Sequence, residues 1–348
     1  MLDVQIIGLD IATSSFQVHA VNADGAVLFN KKLRRSEVVP FFRKQAPCLV
    51  VLEACATSHY WARTITGLGH AAKLIAPEAA KPFVKKGKKN DAIDAGAIAQ
   101  AARRTDIPFV PVKTTAQQGV LSLHSTRGLL VKQKTMLSNA LRNLASEFGI
   151  VVPLGMHRLN ELRDEVVGDA HVPAELQGSF SALFERFNAL DAAIGTLTDK
   201  IVAHVKGDMV AKRLATIPGV GPLTASLVVG TVTNMKEFGS ARRFAAWLRL
   251  VPRQNSTGGK ARLGRVTRSG NRGLRTLLVI GATSMLRRSE GWMTTTGAWL
   301  RSLAARKPSR VAMVALANKM ARVIWAMMTR EEIYRAERPS NSLRAAMA

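Results

Sequence analysis

At 348 residues the chain is long enough for two or three domains, and 47% of it is hydrophobic, which excludes a disordered protein. Its 50 Lys and Arg residues against 24 Asp and Glu leave a formal charge of +26, which calls for a polyanionic partner such as nucleic acid. The two cysteines form no CxxC pair and have no histidine cluster beside them, which argues against a disulfide framework or a zinc site.

A membrane is the weaker explanation of the charge. The most apolar C-terminal stretch, residues 311–328, is interrupted by Asn318, Lys319 and Arg322, so an amphipathic helix is predicted there rather than a membrane span. The N-terminal residues include acidic and polar side chains and show no secretory signal. We therefore expect no membrane partner and a cytoplasmic location, in the bacterial cytosol or nucleoid.

The charge is unevenly distributed along the chain. Residues 1–112 carry 15 basic and 9 acidic residues, residues 113–205 carry 9 of each, and residues 206–348 carry 26 basic and 6 acidic residues. Hard cations such as Mg²⁺ need carboxylate oxygens. Any metal chemistry is therefore expected in the first segment, and most of the polyanion binding in the last.

The first segment, residues 1–112, predicts an α/β domain. Apolar or alternating runs predict strands at residues 4–9, 16–21, 26–29, 48–52 and 72–75. Helices are predicted at residues 36–44, 61–68 and 91–103. Hairpin-like strands followed by alternating helices and strands indicate a mixed sheet.

The second segment, residues 113–205, predicts two long helices. Leucines recur at helical spacing from Leu121 to Leu144, and a second apolar stripe runs from Leu183 to Ile201. This pattern fits an antiparallel coiled-coil arm used for dimerisation, and it fits an ordinary helical subdomain equally well.

The third segment, residues 206–348, predicts a basic, mainly α-helical domain. Its Ile-Pro-Gly-Val-Gly-Pro turn, containing Gly219 and Gly221, predicts a helix-hairpin-helix whose backbone N–H groups could hold a DNA phosphate, although such hairpins can also be packing corners. Basic residues without interleaved acids then favour phosphate binding over a merely solvated face. The predicted nucleic-acid-binding side chains are Arg253, Lys260, Arg262, Arg265, Arg268, Arg272 and Arg275.

Four acidic residues of the first segment could converge on one point. Asp10 and Glu53 end two predicted strands, and Asp91 and Asp94 lie on one face of a helix. Carboxylates brought that close repel unless a cation lies between them, so they predict a site for Mg²⁺ or Mn²⁺. The alternative is a set of unrelated surface residues, with Asp91 only interacting with the helix dipole.

These acids, in the order Asp, Glu, Asp-x-x-Asp, resemble the RuvC-like, ribonuclease-H-fold domain of the DEDD insertion-sequence transposases, the IS one-ten family. Lys88 and Lys89 before Asp91 fit the same pattern. The C-terminal segment resembles that family's second transposase domain through the Pro-Gly-Val-Gly turn, Asn255-Ser-Thr-Gly-Gly259 and Arg268-Ser-Gly-Asn-Arg272. Ala56 departs from the family pattern, in which glycine is more usual.

The resemblance implies a transposase and site-specific DNA recombinase with a composite active site. It implies that Asp10, Glu53, Asp91, Asp94 and Ser256 are catalytic, the four carboxylates holding Mg²⁺ and Ser256 attacking DNA. It also implies donor and target DNA and a guide or bridge RNA encoded by the element. Because recombination joins four strand ends, we expect a homo-oligomer, either a dimer or a tetramer.

Two rival functions remain open in the sequence. A Holliday-junction-type hydrolytic nuclease would use the four carboxylates and would not need Ser256. A non-catalytic nucleic-acid-binding protein would need neither the carboxylates nor Ser256. Ser269 is a rival nucleophile, although a role in phosphate binding or helix capping suits it better. Lys260 follows two glycines, but Gln254 and Ala261 break the Walker pattern for nucleoside triphosphates.

Overall fold

The computed structural model describes residues 3–84, 90–169, 171–255, 257–260, 262, 264, 266, 270–292 and 294–336. The chain divides into two compact units, Met1–Thr115 and Ala116–Ala348. The first contains a mixed α/β sheet and the second is mostly helical, as the sequence predicted. The further division of the second unit into an arm and a basic domain stays a prediction.

The described strands of the first unit form one six-stranded sheet in the order β3-β2-β1-β4-β5-β6. The strands are β1 (Ile6–Ile11), β2 (Ser15–Val21), β3 (Val27–Arg34), β4 (Leu49–Glu53), β5 (Ala71–Ile75) and β6 (Phe109–Val110). β1, β2 and β3 pair antiparallel, β1, β4 and β5 pair parallel, and β6 lies antiparallel to β5. The sheet therefore combines an antiparallel meander with parallel crossovers.

Helices cover both faces of this sheet. They are α1 (Val38–Lys44), α2 (Ser58–Gly67), α3 (Pro77–Ala80) and α4 (Asp91–Ala102). Leu9, Val18 and Leu52 pack with α1 and α2 on one face, while Val51 packs with Ile98 of α4 on the other. β4 is buried on both faces, which is why its sequence is a continuous apolar run.

Strand β3 extends further than its sequence predicted. The prediction ended at residue 29, before a run of lysines and arginines, whereas the strand continues to Arg34. β3 is an edge strand of the sheet, where exposed charged side chains are tolerated and discourage edge-to-edge association. The helix predicted from Ser36 begins at Val38, after a 3₁₀ turn at Arg35–Glu37.

The rest of the chain is helical. The helices are α5 (Thr115–Ser146), α6 (Leu159–Gly168), α7 (Ala174–Gly207), α8 (Met209–Leu214), α9 (Pro222–Thr231), α10 (Ala241–Trp247), α11 (Arg272–Arg287), α12 (Thr295–Arg306) and α13 (Ser309–Arg330). The two predicted long helices correspond to α5 and α7.

Helices α5 and α7 run antiparallel along each other. Arg127 Nε of α5 donates to Thr198 Oγ1 of α7 over 2.8 Å. Two turns further along α5, Lys134 pairs with Asp191, which lies two turns earlier in α7. At the far end a separate core joins Leu141 of α5 to Phe180 of α7. This end of the helical pair therefore has a hydrophobic core of its own.

The main core of the second unit surrounds α13, which packs against α10 and α11. Among the described residues, α13 is the one helix long and apolar enough to cross a membrane by length and composition. Its residues Leu316, Met320 and Ile324 are buried inside the unit. The apolar composition of α13 is therefore explained by its position as a core helix.

Candidate metal centre and nucleic-acid interface

Asp10 and Glu53 lie side by side at one end of the sheet. Leu9 of β1 is paired with Leu52 of the parallel strand β4, so the next residue on each strand is the acid. Paired residues on adjacent strands are about 5 Å apart and point to the same face. Both acids are half-buried, and Glu53 is engaged in further interactions.

Helix α4 places Asp91 and Asp94 over the same end and face of the sheet. Asn90 caps the helix, its side-chain oxygen accepting the N–H of Ile93 over 2.9 Å. Gly8, two residues before Asp10 and on the same face, lies directly beneath the helix at Ala95. Asp10 lies two residues beyond Gly8 along β1, and Asp91 lies about one helical turn before Ala95 along α4. Each of these steps is roughly 6 Å long, so the first turn of α4 lies near Asp10.

Gly8 makes this packing possible, a role that the sequence analysis did not recognise. A Cβ on Gly8 would lie 2.2 Å from the backbone oxygen of Ala95 and 2.8 Å from the backbone nitrogen of Ala99. The helix can therefore approach β1 only because residue 8 has no side chain. A glycine two residues before a strand-end acid was the available signal.

The negative charges of α4 act on Asp10. Burial raises the pKa of the Asp10 carboxyl, and the negative charges of Asp94 and Asp91 raise it further. Burial also raises the pKa of the Cys55 thiol, which the charges of Glu53 and Asp10 raise further. Asp10 is thus coupled to both acids of α4, and it shares with Glu53 the environment of Cys55, a neighbour that the sequence analysis had not linked to the acids.

The chemistry of this donor set suits a hard divalent cation, which prefers carboxylate oxygens. In the part of the chain that the structure describes, no three His, Cys, Asp or Glu side chains are grouped closely enough to form a ready-made metal site. The fold therefore gathers the acids at one end of one face without drawing them into a ligand cluster.

The predicted helix-hairpin-helix is formed by α8, a turn and α9. The N–H of Val220 donates to the oxygen of Ile217 over 2.9 Å, and Gly219 has a φ of 81°. Gly219 faces inward, where a Cβ would meet Met320 and Met285, whereas Gly221 at the start of α9 is exposed. The inner side of the turn thus packs against the core, whereas its outer side leaves the N-terminus of α9 accessible to a phosphate.

The loop that carries Ser256 has the hydrogen bonding of a short hairpin. The N–H of Asn255 donates to Arg262 and that of Gly264 to Arg253, over 2.8 and 2.7 Å. Gly258 and Gly259 both have positive φ angles, as a tight hairpin turn requires. Ser256, Ser269, Arg265, Arg268, Lys88 and Lys89 lie outside the described residues.

The other predicted nucleic-acid-binding side chains differ in their exposure to solvent. Arg253, Lys260, Arg262 and Arg272 are exposed. Arg275 is half-buried, and its Nη1 donates to the backbone oxygen of Leu248 over 3.2 Å.

A cleft of about 1150 Å³ with an apolar wall lies beside the loop that carries Ser256, and Gly264 and Val266 contribute to its lining. Its basic lining residues are Arg310, Lys319, Arg322 and Arg330.

Comparison with known proteins gives two family matches in chain order. Residues 7–149 match a DEDD transposase family of the IS110 type, described as "Transposase", and residues 211–297 match the "Transposase IS116/IS110/IS902 family". The first match includes all four acids, and the second includes the hairpin and the Ser256 loop.

Similar proteins cover nearly the whole chain. A "Putative transposase y4pF/y4sB" of Sinorhizobium fredii is 45% identical over 94% of this chain and 85% of its own length. A "Probable family 20 transposase" of Pseudomonas aeruginosa is 43% identical over 96% of this chain and 99% of its own. The "Transposase for insertion sequence element IS1111A" of Coxiella burnetii is 38% identical over 96% of this chain and 92% of its own length. The chain therefore belongs to the IS116/IS110/IS902 family of transposases, enzymes that cut and recombine DNA.

Proposed function

We propose that this transposase cuts and rejoins DNA with a metal centre built on Asp10, Glu53, Asp91 and Asp94 and with Ser256 as its nucleophile. The observation that carries the proposal is the placement of the four acids at one end of one sheet face, where burial, and then the charges of Asp94 and Asp91, raise the pKa of Asp10. Strand order and pairing support a ribonuclease-H-like, RuvC-like assignment for this unit.

The four carboxylates would hold Mg²⁺ or Mn²⁺, which when bound activates a nucleophile and neutralises charge on the phosphodiester. Metal binding requires the carboxylates to be deprotonated, and the raised pKa of Asp10 means that protons compete for this ligand more than for an ordinary aspartate. The proposal thus links activity to both metal and pH.

Ser256 would exchange one phosphodiester for another. Its oxygen attacks the phosphorus, the bond to the 3′ oxygen breaks and takes up a proton, and the DNA remains attached through phosphoserine. The 3′-hydroxyl of a second strand then attacks the phosphoserine and returns the serine to its starting state. Because the number of phosphodiester-type bonds is conserved, no ATP is needed. Hydrolysis would lose this bond energy to water.

A bridge RNA encoded by the element would select donor and target DNA. The charge of the chain supports nucleic-acid binding in general, whereas the RNA itself rests on the family resemblance. If the proposal holds, ribonuclease treatment before DNA is added should abolish sequence-specific recombination. Specific recombination by rigorously RNA-free protein would refute this part.

The metal centre can be tested one carboxylate at a time. Asp10→Asn, Glu53→Gln, Asp91→Asn and Asp94→Asn should each weaken Mn²⁺ binding measured by calorimetry and abolish DNA cleavage, and chelator should stop the wild type. Asp106→Asn is the matched control, because Asp106 is an exposed aspartate of the same unit paired with Arg104. Wild-type cleavage by an Asp10→Asn/Asp94→Asn variant would show that the centre is misplaced.

The nucleophile can be identified by trapping the protein–DNA adduct under denaturing conditions. Ser256→Ala should bind DNA and RNA but form no adduct and no cleaved strand, whereas Ser269→Ala should still cleave. Mass spectrometry of the adduct should find DNA on the peptide containing Ser256. Cleavage by Ser256→Ala, with no adduct in either protein, would instead favour the hydrolytic nuclease.

A further inference from the structure

We propose that a cleft at the end of the sheet in the first unit binds a single-stranded segment of nucleic acid beside the acidic centre. The cleft has a volume of about 970 Å³. Its lining residues are Thr13, Ser14, Ser15, Lys32, Arg34, Arg35, Ser36, Tyr60 and Trp61. Cations, hydroxyl groups and aromatic rings thus share one surface, which none of the sequence predictions included.

The charge of the cleft suits a phosphodiester backbone. Lys32, Arg34 and Arg35 are all exposed, and the lining contains no carboxylate. Glu37 follows in the chain, but its carboxylate accepts the backbone N–H of Arg34 over 2.7 Å. Hydroxyl groups of the β1–β2 turn add neutral donors, which commonly contact phosphate oxygens.

Strand register places two of these cations on the face of the sheet that carries Asp10. Asp10 is paired with Gln17 of β2, and Gln17 is paired with Lys32 of β3. The three residues form a row across the sheet, in which Lys32 lies two strand spacings, about 10 Å, from Asp10. Arg34 is on the same face, opposite Ser15. Helix α2, which supplies the aromatic residues of the cleft, covers the opposite face, so the cleft runs across the end of the sheet from one face to the other. A strand held by these cations would therefore reach the edge of the face that carries the acidic centre.

The aromatic wall favours a single strand over a duplex. Trp61 is only 4% exposed, and two neighbours hold it in place. The Phe16 ring lies 4.9 Å and the Arg35 guanidinium 5.1 Å from the centre of the Trp61 ring. Tyr60 packs edge-on against Trp61 and remains 52% exposed. An exposed ring beside cations offers a stacking surface for an unstacked base, which a duplex does not present.

The inference deepens the proposed function by adding a substrate-binding subsite, and it rests on the nucleic-acid substrate of that function. It depends neither on the metal nor on Ser256. Binding measured in chelator therefore tests the cleft by itself, and Asp10→Asn should lose cleavage while retaining the cleft's contribution to binding. Failure of one proposal is thus distinguishable from failure of the other.

The first test compares two charge-matched double variants of the full chain. Lys32→Gln/Arg34→Gln removes cleft cations, whereas Lys31→Gln/Lys44→Gln removes two exposed cations that do not line the cleft. Affinity for labelled single-stranded DNA and RNA is measured by fluorescence anisotropy in chelator over a range of salt concentrations. The cleft variant should reduce the salt slope by about 1.4, or roughly 0.7 per lost phosphate contact, and the control should not.

The second test addresses the base. Tyr60→Leu should weaken single-strand binding on the order of tenfold, while Tyr60→Phe keeps the ring and should retain the affinity. Strands carrying photoreactive 5-iodouracil should crosslink to the peptide containing Tyr60. The DNA and RNA arms identify which strand occupies the cleft, and a Tyr60 crosslink in either supports the proposal.

Three results would overturn it. The cleft variants could bind single strands as tightly as their controls, with an unchanged salt slope. The crosslinks could map only to peptides outside the cleft. Duplex and single-strand binding could fall equally in Tyr60→Leu, which would remove the role of an unstacked base. Unfolding midpoints equal to that of the wild type would show that any loss of binding is not a loss of fold.

Discussion

Replacing Gly8 by alanine tests how the fold positions the acids of the candidate centre. A methyl group on residue 8 would lie 2.2 Å from the backbone oxygen of Ala95, whereas ordinary contact begins near 3.4 Å. The obstacle is helix backbone, so no side-chain rotation relieves it. Helix α4 must therefore move away from β1 by about 1 Å.

This movement should cost both stability and activity. Overpacking of a tight contact typically destabilises a protein by about 1–3 kcal/mol. Asp91 and Asp94 lie at the start of α4 and would move with it relative to Asp10. Misplacing reacting groups by about 1 Å can lower a rate on the order of a hundredfold. We therefore expect slow DNA cleavage even at temperatures where Gly8→Ala is folded.

Gly96→Ala provides the matched control on the same helix. A Cβ on Gly96 would meet the His19 ring at 3.4 Å, an ordinary contact distance. Gly96 lies inside α4, where alanine is favoured over glycine by about 1 kcal/mol. This variant should be as stable as the wild type or more so, and it should cleave DNA normally.

Hydrogen exchange of peptides from β1 and α4 reports local stability without requiring the two units to unfold together. Gly8→Ala should exchange faster in both elements, and Gly96→Ala should not. If Gly8→Ala exchanged and cleaved like the wild type, close packing at residue 8 would not hold the acids in place. Equal damage from Gly96→Ala would show general sensitivity of α4 instead.

Three further predictions concern other parts of the molecule. A Cβ on Gly281 would lie 2.0 Å from the oxygen of Gly219, so Gly281→Ala should displace the hairpin turn, lower the unfolding midpoint and weaken DNA binding. Phe180→Ala should destabilise the separate core that joins α5, α6 and α7 by about 3–5 kcal/mol, and hydrogen exchange should locate the effect in these helices while the first unit keeps its protection. Burial, and then neighbouring positive charges, lower the pKa of His59 and of His124 to about 4. Because unfolded histidine titrates near pH 6.5, stability should fall as the pH drops from about 6.5 towards 4 and stay level above, and substituting glutamine at both positions should flatten this profile in thermal unfolding.

Much of the first unit could be predicted because its central strands are buried and therefore have a simple composition. The apolar run ending at Leu52 and the alternating run from Phe16 to Val21 both mark strands of the sheet. α3 and β6 have four and two residues, too few for any periodicity, and tertiary contacts fix them. The charged end of β3 was missed because Lys31 to Arg34 have the composition of a solvated loop.

The acids of the candidate site could be located because strand ends and helix starts are visible in a sequence. Asp10 and Glu53 follow apolar runs, and parallel pairing of those runs places the two residues side by side. No local pattern shows that Gly8 touches Ala95, since that contact joins positions far apart in the chain. The cleft was missed for the same reason, because Lys32 and Tyr60 approach one another only after the sheet and α2 have formed.

The spacing of charge across the sheet explains how a cation-rich cleft can lie beside an acidic centre without neutralising it. A lysine directly opposite Asp10 would be one strand spacing away, about 5 Å, where a salt bridge would occupy the carboxylate needed for a metal. The residue opposite Asp10 is the neutral Gln17, whose amide donates to the Asn30 side chain over 3.2 Å. Lys32 is one strand further, at about 10 Å, which exceeds the Debye length of about 8 Å in physiological salt, so its attraction to Asp10 is largely screened. A phosphodiester lying across the row can then contact both charges, with its backbone on the cations and its reacting phosphate over the acids. In our proposal, the neutral residue between them keeps the metal centre and the cation cleft available for different parts of the same strand.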